Sequence, residues 1–559
     1  VTLKLLSSDS LKLLFIAAVS CVAAYWLFSD NLSAEFGIID DHNIIFFLGP
    51  DGKLALADIP RLFFASEGGR PFETPRYRPV LFLLFLVESY LWGDSAKLWY
   101  LARLVIFASS IAVYWRLFSK KTGLVPSVLF MASLLSFSVW ARTFTRLLPS
   151  EIYALLAVAL FSFGFVRIVG EAKSYTARKC KSVLNWTLVF IGAIAAIGVK
   201  ENFLFLLLPT FVLFIFAWRS RVLNWLAVLY TALIFAFGAL IVASVLFVIS
   251  RTSADFYDRP VGASFISTLV YPAFSTLLSD KTILLCGMAV CAVFFLASIV
   301  AVDVNGHEAG AARKRSFIVF LLFFVGAIAL YASQFIFYTG HWPTGTRYDF
   351  PGIFAKPLIF FAAIACLVSM SGALRHGGYL KGLALASFSL LMVFYTDFSV
   401  FSLIRAEGRR NALETVDFTA RLDFVSERLR AEPAANLMLV VEDPKYFEHV
   451  ISAPRFLRYH GVKNPIYLWV SRHSTEPGES ATASGRMRRM EHASKFGTRE
   501  VSPDGYAFSF FEPRDAINPF EEFKASAGKC YSVSFLGPAE VPGCEDILKG
   551  FTLTSFPRS

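Results

Sequence analysis

The stretch EFGIIDDHNIIFFLGP, residues 35–50, sets two carboxylates, Asp40 and Asp41, side by side in a chain otherwise poor in charge. Three chemistries suit such a pair. A carboxylate takes the proton of a weakly nucleophilic hydroxyl as that hydroxyl attacks. A second carboxylate beside it raises the proton affinity of one of the two and helps to orient the site. Alternatively, Asp40 and Asp41 hold a divalent cation such as Mg or Mn together with waters, or they merely begin an interfacial helix over HNIIFFL.

Other charges stand at similar boundaries. Arg76 and Arg78 flank Tyr77 ahead of Pro79 in ETPRYRPVLFLLFLVESYLWG. A guanidinium grips phosphate oxygens in a fork, although snorkelling at an interface also explains a single Arg. In WARTFTRLLPSEIYALL, Arg142 and Arg146 are four apart and Glu151 follows Pro149, where Pro149 or Ser150 also starts a helix. Lys200 and Glu201 interrupt an otherwise apolar hairpin, IGVKENFLFLLLP, where Gly, Asn or Ser would turn the chain more cheaply. Their adjacent charges also satisfy a reading of mutual neutralisation. Finally, YTGHWPTGTRYDFPG presents Arg347 and Tyr348 in a Gly-rich loop, with an ordinary aromatic belt as the plainer reading.

The elements that carry these residues are membrane helices. Of 559 residues, 56% are hydrophobic and 17% charged, with mean hydropathy +0.57, against roughly 25% charged in soluble domains. The apolar runs are too long and too continuous for barrel strands. Spans are expected near 12–28, 97–117, 123–140, 151–170, 183–199, 203–218, 222–250, 282–303, 317–337, 352–372 and 381–400, eleven in all. The basic, apolar N-terminal segment ends in aromatics with no small-x-small cleavage site, and reads as a retained helix. Residues 80–92, with Glu88, are too short to span and read as an interfacial helix.

Orientation follows from Lys and Arg. With the N-terminus cytoplasmic, the inside loops carry Lys120 and Lys121; Lys173, Arg178, Lys179 and Lys181; Arg219 and Arg221; Arg313, Lys314 and Arg315; and Arg375 and Lys381. Residues 29–78, outside, hold eight acids against five bases. The net charge of +11 is thus spread over short loops and gives no reason to expect nucleic acid. This assignment gathers Asp40, Asp41, Arg76, Arg78, Arg142, Arg146, Glu151, Lys200, Glu201 and Arg347 on the outer face. Charges at membrane depth are costly and mark functional sites.

Taken in order, IIDDHNI, RYRPV…LWG, LPSEIYALL, VKENFLFLLLP and RYDFPG resemble the recurring blocks of the GT-C superfamily of integral-membrane glycosyltransferases, over about residues 10–370. The pattern is most similar to the TMTC/protein O-mannosyltransferase-like branch. The resemblance implies an inverting transferase that takes a sugar from a polyprenyl-phosphate (or dolichyl-phosphate) donor on the non-cytoplasmic face. It implies Asp40, or less favourably Asp41, as general base, and Arg78, Lys200 and Arg347 as contacts to the phosphate leaving group. Two departures qualify it: Asp349 stands where relatives often carry an apolar residue, and no 34-residue repeat is present.

The expected architecture is therefore an α-helical polytopic, GT-C-like membrane domain (1–400) with interfacial helices in a first outer loop (29–96), followed by an extracytoplasmic α/β domain (401–559). In the tail, NALETVDFTARLDFVSERLR and 445–460 read as helices, and ANLMLVVE, PIYLWV, YAFSFF and CYSVSFL as strands. Cys530 and Cys544 would pair if the tail faces an oxidising compartment. The tail is assigned to acceptor binding or to shielding the site. The expected partners are the lipid-linked donor, a glycan, lipid or protein acceptor, and membrane lipids, in a bacterial inner membrane with the site periplasmic. Rivals are a transporter or flippase of a lipid-linked sugar, which predicts midplane polar groups and internal repeats, and a non-catalytic scaffold, which leaves the outer charges unexplained.

Overall fold

The computed structural model describes residues 8–37, 41–45, 47–49, 51–73, 77–171, 179–219, 223–252, 350, 364, 377–441, 447–464, 466–470, 508–509 and 530–534. Asp40, Arg76, Arg347, Tyr348 and Cys544 lie outside these residues, as do the expected spans 282–303 and 317–337 and nearly all of 352–372.

The described part is mostly helical. Helix α1 covers Ser8–Phe28. The segment between α1 and the next long helix then holds a short α2 (His42–Ile45), α3 (Ile59–Ala65) and α4 (Pro79–Trp92). Next come α5 (Ala96–Thr122), α6 (Leu124–Leu135), α7 (Val139–Phe144), α8 (Ser150–Glu171) and α9 (Lys179–Val199). A 3-10 turn, Glu201–Leu206, leads into α10 (Leu207–Arg219), and α11 is Trp225–Thr252. Beyond it lie α12 (Gly377–Tyr395) and α13 (Ser399–Ala431).

Among the described residues five helical stretches are long and apolar enough to cross a membrane: Asp9–Ser33, Ala96–Lys120, Ser150–Val169, Glu201–Arg219 and Trp225–Val248. The chain is an integral membrane protein. The expected interfacial helix is α4, whose 14 residues reach about 21 Å, short of the ~30 Å hydrocarbon layer. Two expected spans are reshaped. The run 123–140 is broken, because α6 stops at Leu135 and the Trp140 indole donates to the Leu134 carbonyl. The run 381–400 ends early, with α12 and α13 meeting at 45°. There the Asp397 carboxylate accepts from both the amide and the hydroxyl of Ser399. Hydropathy reports neither capping bond.

Close packing of α8 on α9 fixes the frame. A Cβ on Gly192 would lie 2.5 Å from the Phe161 nitrogen, and one on Gly164 would lie 2.5 Å from the Asn185 carbonyl oxygen. Small residues let membrane helices approach this closely. Gly192→Val is therefore expected to separate the pair and lower the unfolding temperature in detergent by several degrees, whereas Gly378→Val, where a Cβ meets nothing within 4 Å, leaves it unchanged. Thermal unfolding of the two purified variants checks this.

The tail contributes α14 (Phe447–Tyr459) and strands β1 (Asn436–Val441), β2 (Ile466–Val470), β3 (Phe508–Ser509) and β4 (Cys530–Ser534). All described pairings are parallel, in the order β3-β2-β1-β4, with Leu437 opposite Ile466 and Tyr531. Parallel neighbours require crossovers, and α14 lies between β1 and β2 in the chain. Phe418, Leu422, Val425 and Leu429 recur on one face of α13, at helical spacing. They close the core with Leu437, Ala453, Phe456, Leu457 and Ile466.

Candidate functional site at one end of the helical core

Asp41 is almost fully buried, at 1% exposure. Its Oδ2 accepts the Gly37 amide at 2.9 Å, and its Oδ1 accepts the amides of Leu147 and Leu148 at 2.9 and 3.2 Å. The carboxylate thus ties the loop after α1 to the turn between α7 and α8. Backbone amides at this turn would otherwise be orphaned by the helix breaks on either side of it.

The same turn is held from below. Arg103 of α5 donates Nε to the Leu147 carbonyl at 2.9 Å, and both Nη atoms to Glu88 of α4 at 2.7 and 2.8 Å. Tyr153 of α8 donates to Glu88 as well, and its ring faces the Arg103 guanidinium at 4.6 Å. Leu147 therefore has its amide on Asp41 and its carbonyl on Arg103. A buried charge needs both a partner and hydrogen bonds, and this group supplies them from three helices. Glu88 drew notice in the sequence only as a flaw in a short apolar run. Arg103 was missed, although a single Arg inside WYLARLVIF is a signal in its own right.

Two further buried ion pairs lie alongside. Arg78, at the mouth of α4, forks onto Glu201 at 2.7 and 2.6 Å. Lys200 meets Glu151, at the start of α8, at 2.5 Å. The neighbours Lys200 and Glu201 thus do not neutralise each other; each is paired with a different helix. Both cations already carry a carboxylate partner, so they reach a donor phosphate only by sharing or exchanging it. Arg142 differs. It is the exposed residue on α7 between buried Ala141 and Thr143, and no described residue pairs with it in a salt bridge. Arg146 is half-buried beside the Asp41 turn and is engaged with neighbouring groups.

Several loops are in contact here. The loop after α1 touches the α7–α8 turn through Asp41, Arg78 touches the α9–α10 turn, and α13 touches residues 30–35. Arg409 bonds Asp30 at 3.2 Å, Asn411 donates to Asn31 at 2.9 Å and to the Tyr100 hydroxyl at 3.1 Å, and Thr415 accepts the Glu35 amide at 3.0 Å. Tyr459 of α14 reaches Asp94 at 3.4 Å. These segments lie together at one end of the helical core.

Cys530 lies on β4, and its expected partner Cys544 falls outside the described residues. The described residues gather no group of three His, Cys, Asp or Glu side chains suited to a metal ion. No family model matches the sequence, and no curated protein matches it. Among solved structures, the chain is similar to ArnT from Cupriavidus metallidurans bound to undecaprenyl phosphate, with TM-score 0.35 and 14% identity over 87% of this chain and 91% of that one. The apo structure of that protein gives TM-score 0.34 and 14% identity, covering 89% and 94%.

Proposed function

We propose that this protein is a membrane glycosyltransferase of GT-C type, which moves a sugar with inversion from a polyprenyl-phosphate carrier to an acceptor hydroxyl on the extracytoplasmic face. The observation that carries this reading is the Asp41 anchorage. Its two oxygens are committed to three backbone amides, so Asp41 holds the loop and its chain neighbour Asp40 is left for the base. In this reading Asp40 takes the acceptor proton as the hydroxyl attacks the anomeric carbon. Arg142 meets the departing phosphate, whose gathering charge a prepositioned cation stabilises. Arg76, Arg347 and Tyr348 remain candidate donor contacts. Residues 1–400 form the catalytic domain and 401–559 a periplasmic α/β domain, with the N-terminus in the cytoplasm of a bacterial cell.

The test is transfer of radiolabelled sugar from a panel of undecaprenyl-phosphate sugars into membrane extract by the purified protein. Asp40→Asn is expected to reduce kcat by about 10²–10⁴-fold while retaining donor binding. Arg142→Ala is expected to raise the donor KM severalfold or lower kcat. If Asp40→Asn matches the wild type, the base assignment fails. If no sugar moves but labelled carrier crosses vesicles, the protein is a transporter of the same ligand.

A further inference from the structure

His42 follows Asp41 directly and is wholly buried, at 0% exposure. Its ring packs edge-on against Phe418 of α13 at 5.5 Å and Phe456 of α14 at 6.1 Å between centroids. Neither ring nitrogen completes a well-aligned hydrogen bond, although the Gly37 backbone and the Arg455 charge lie close to the ring. The contact is therefore a largely apolar plug between the loop that carries the aspartates and the core of the tail. Phe418 and Phe456 belong to that tail core, together with Leu422, Leu437 and Leu457. Around the plug, polar bonds repeat the join: Thr415 to the Glu35 amide, Asn411 to Asn31, and Tyr459 to Asp94. One face of the loop is thus fastened to the membrane helices through Asp41, and the next residue is fastened to the tail.

We infer that the C-terminal segment is a structural half of the active site, in which α13 and α14 grip the aspartate loop through His42, making His42 a positioning residue for Asp40. This rests on the reading of Asp40 as base. Asp40 is joined to Asp41 through one peptide bond, so what pins Asp41 and His42 bears on the proposed base. Displacement of a reacting group by about 1 Å costs up to about 10²-fold in rate. Loosening the plug lowers kcat; helix α7, which carries Arg142, also packs on α13, so the donor KM is measured alongside.

The experiment pairs hydrogen–deuterium exchange of peptide 36–48 with transfer kinetics on the full-length protein, using the undecaprenyl-phosphate sugar found active in the panel. The variants are His42→Ala, His42→Phe and Phe456→Leu, with Asp40→Asn in parallel. The expected result is exchange at least 10-fold faster in His42→Ala and kcat reduced about 10–100-fold, with donor KM within about twofold. Phe456→Leu should give a weaker effect in the same direction, and His42→Phe should recover both readouts because it restores the aromatic contact. Unchanged exchange in His42→Ala and Phe456→Leu overturns the grip. Faster exchange with unchanged kcat, while Asp40→Asn is inactive, overturns the positioning role. His42→Phe as slow as His42→Ala shows that a ring nitrogen is used and overturns the plug. An active Asp40→Asn overturns the base assignment and the positioning role with it, and the exchange result still judges the grip.

Discussion

Lys200→Met is expected to cost about 3–5 kcal/mol of stability, because it strands the Glu151 carboxylate in a buried site. Lys200 and Glu151 are 1% and 4% exposed in their side chains and lie 2.5 Å apart. Glu151→Gln alone strands the ammonium and is expected to fall by a similar amount. The double variant, Lys200→Met with Glu151→Gln, is expected to recover most of the loss, since removing a buried pair altogether is often close to neutral. Unfolding measured on all four proteins closes the cycle, and a double variant no more stable than the worse single one refutes a pairwise bond. The same four proteins separate two roles. If Lys200 only holds α8 to the α9–α10 turn, transfer returns with stability in the double variant. If it also touches donor phosphate, stability returns and the donor KM stays raised.

The second large effect is acid sensitivity. Burial, and then the nearby positive charge of Arg455 on α14, push the His42 imidazole down to about 3, with the Gly37 backbone pulling weakly the other way. In the unfolded chain the ring takes its proton near pH 6.5. Between those values the unfolded state binds more protons, so stability falls as pH falls. The loss begins near pH 6.5 and is complete near pH 3; above pH 6.5 the group contributes nothing pH-dependent. At ~1.4 kcal/mol per pH unit, moving from pH 7 to pH 5 costs about 2 kcal/mol through this residue. Wild type is expected to lose that much more than His42→Phe over the same step, in chemical or thermal unfolding in detergent. His460, half-buried and also pushed down by burial, acts in the same direction in both proteins and cancels in the comparison. Equal losses in the two proteins would refute the prediction.

Much of this architecture was legible in the residues. Long apolar runs gave α1, α5, α8 and α11 nearly to their ends, because a span has a length set by the bilayer. The charge bias of the loops placed the aspartate loop, the Pro149 turn, the Lys200 turn and the tail on one side, and contacts join all four. The short apolar runs in ANLMLVVE and PIYLWV gave two adjacent strands. Partnership was not legible. That Lys200 pairs with Glu151 rather than with its neighbour, or that Arg103 reaches Glu88 and the Leu147 carbonyl, depends on how α4, α5, α8 and α9 cross. The division of labour between Asp40 and Asp41 also depends on long-range bonds, since only the α7–α8 turn occupies the Asp41 oxygens. His42 looked like part of a cap because its partners, Phe418 and Phe456, lie about four hundred residues away in sequence.

Helix α13 runs 33 residues without a break, about 50 Å at 1.5 Å per residue. Its first half carries Arg409, Asn411 and Thr415 against the loop after α1, and its second half carries Phe418 to Leu429 into the sheet core. Two docking surfaces are therefore meshed on one shaft. Each residue added between Thr415 and Leu422 turns the sheet by ~100° relative to the membrane helices, and seven added residues bring it back to within ~20° while lifting it by ~10 Å. Tail modules can be exchanged between chains of this kind only when the splice preserves that rotational phase.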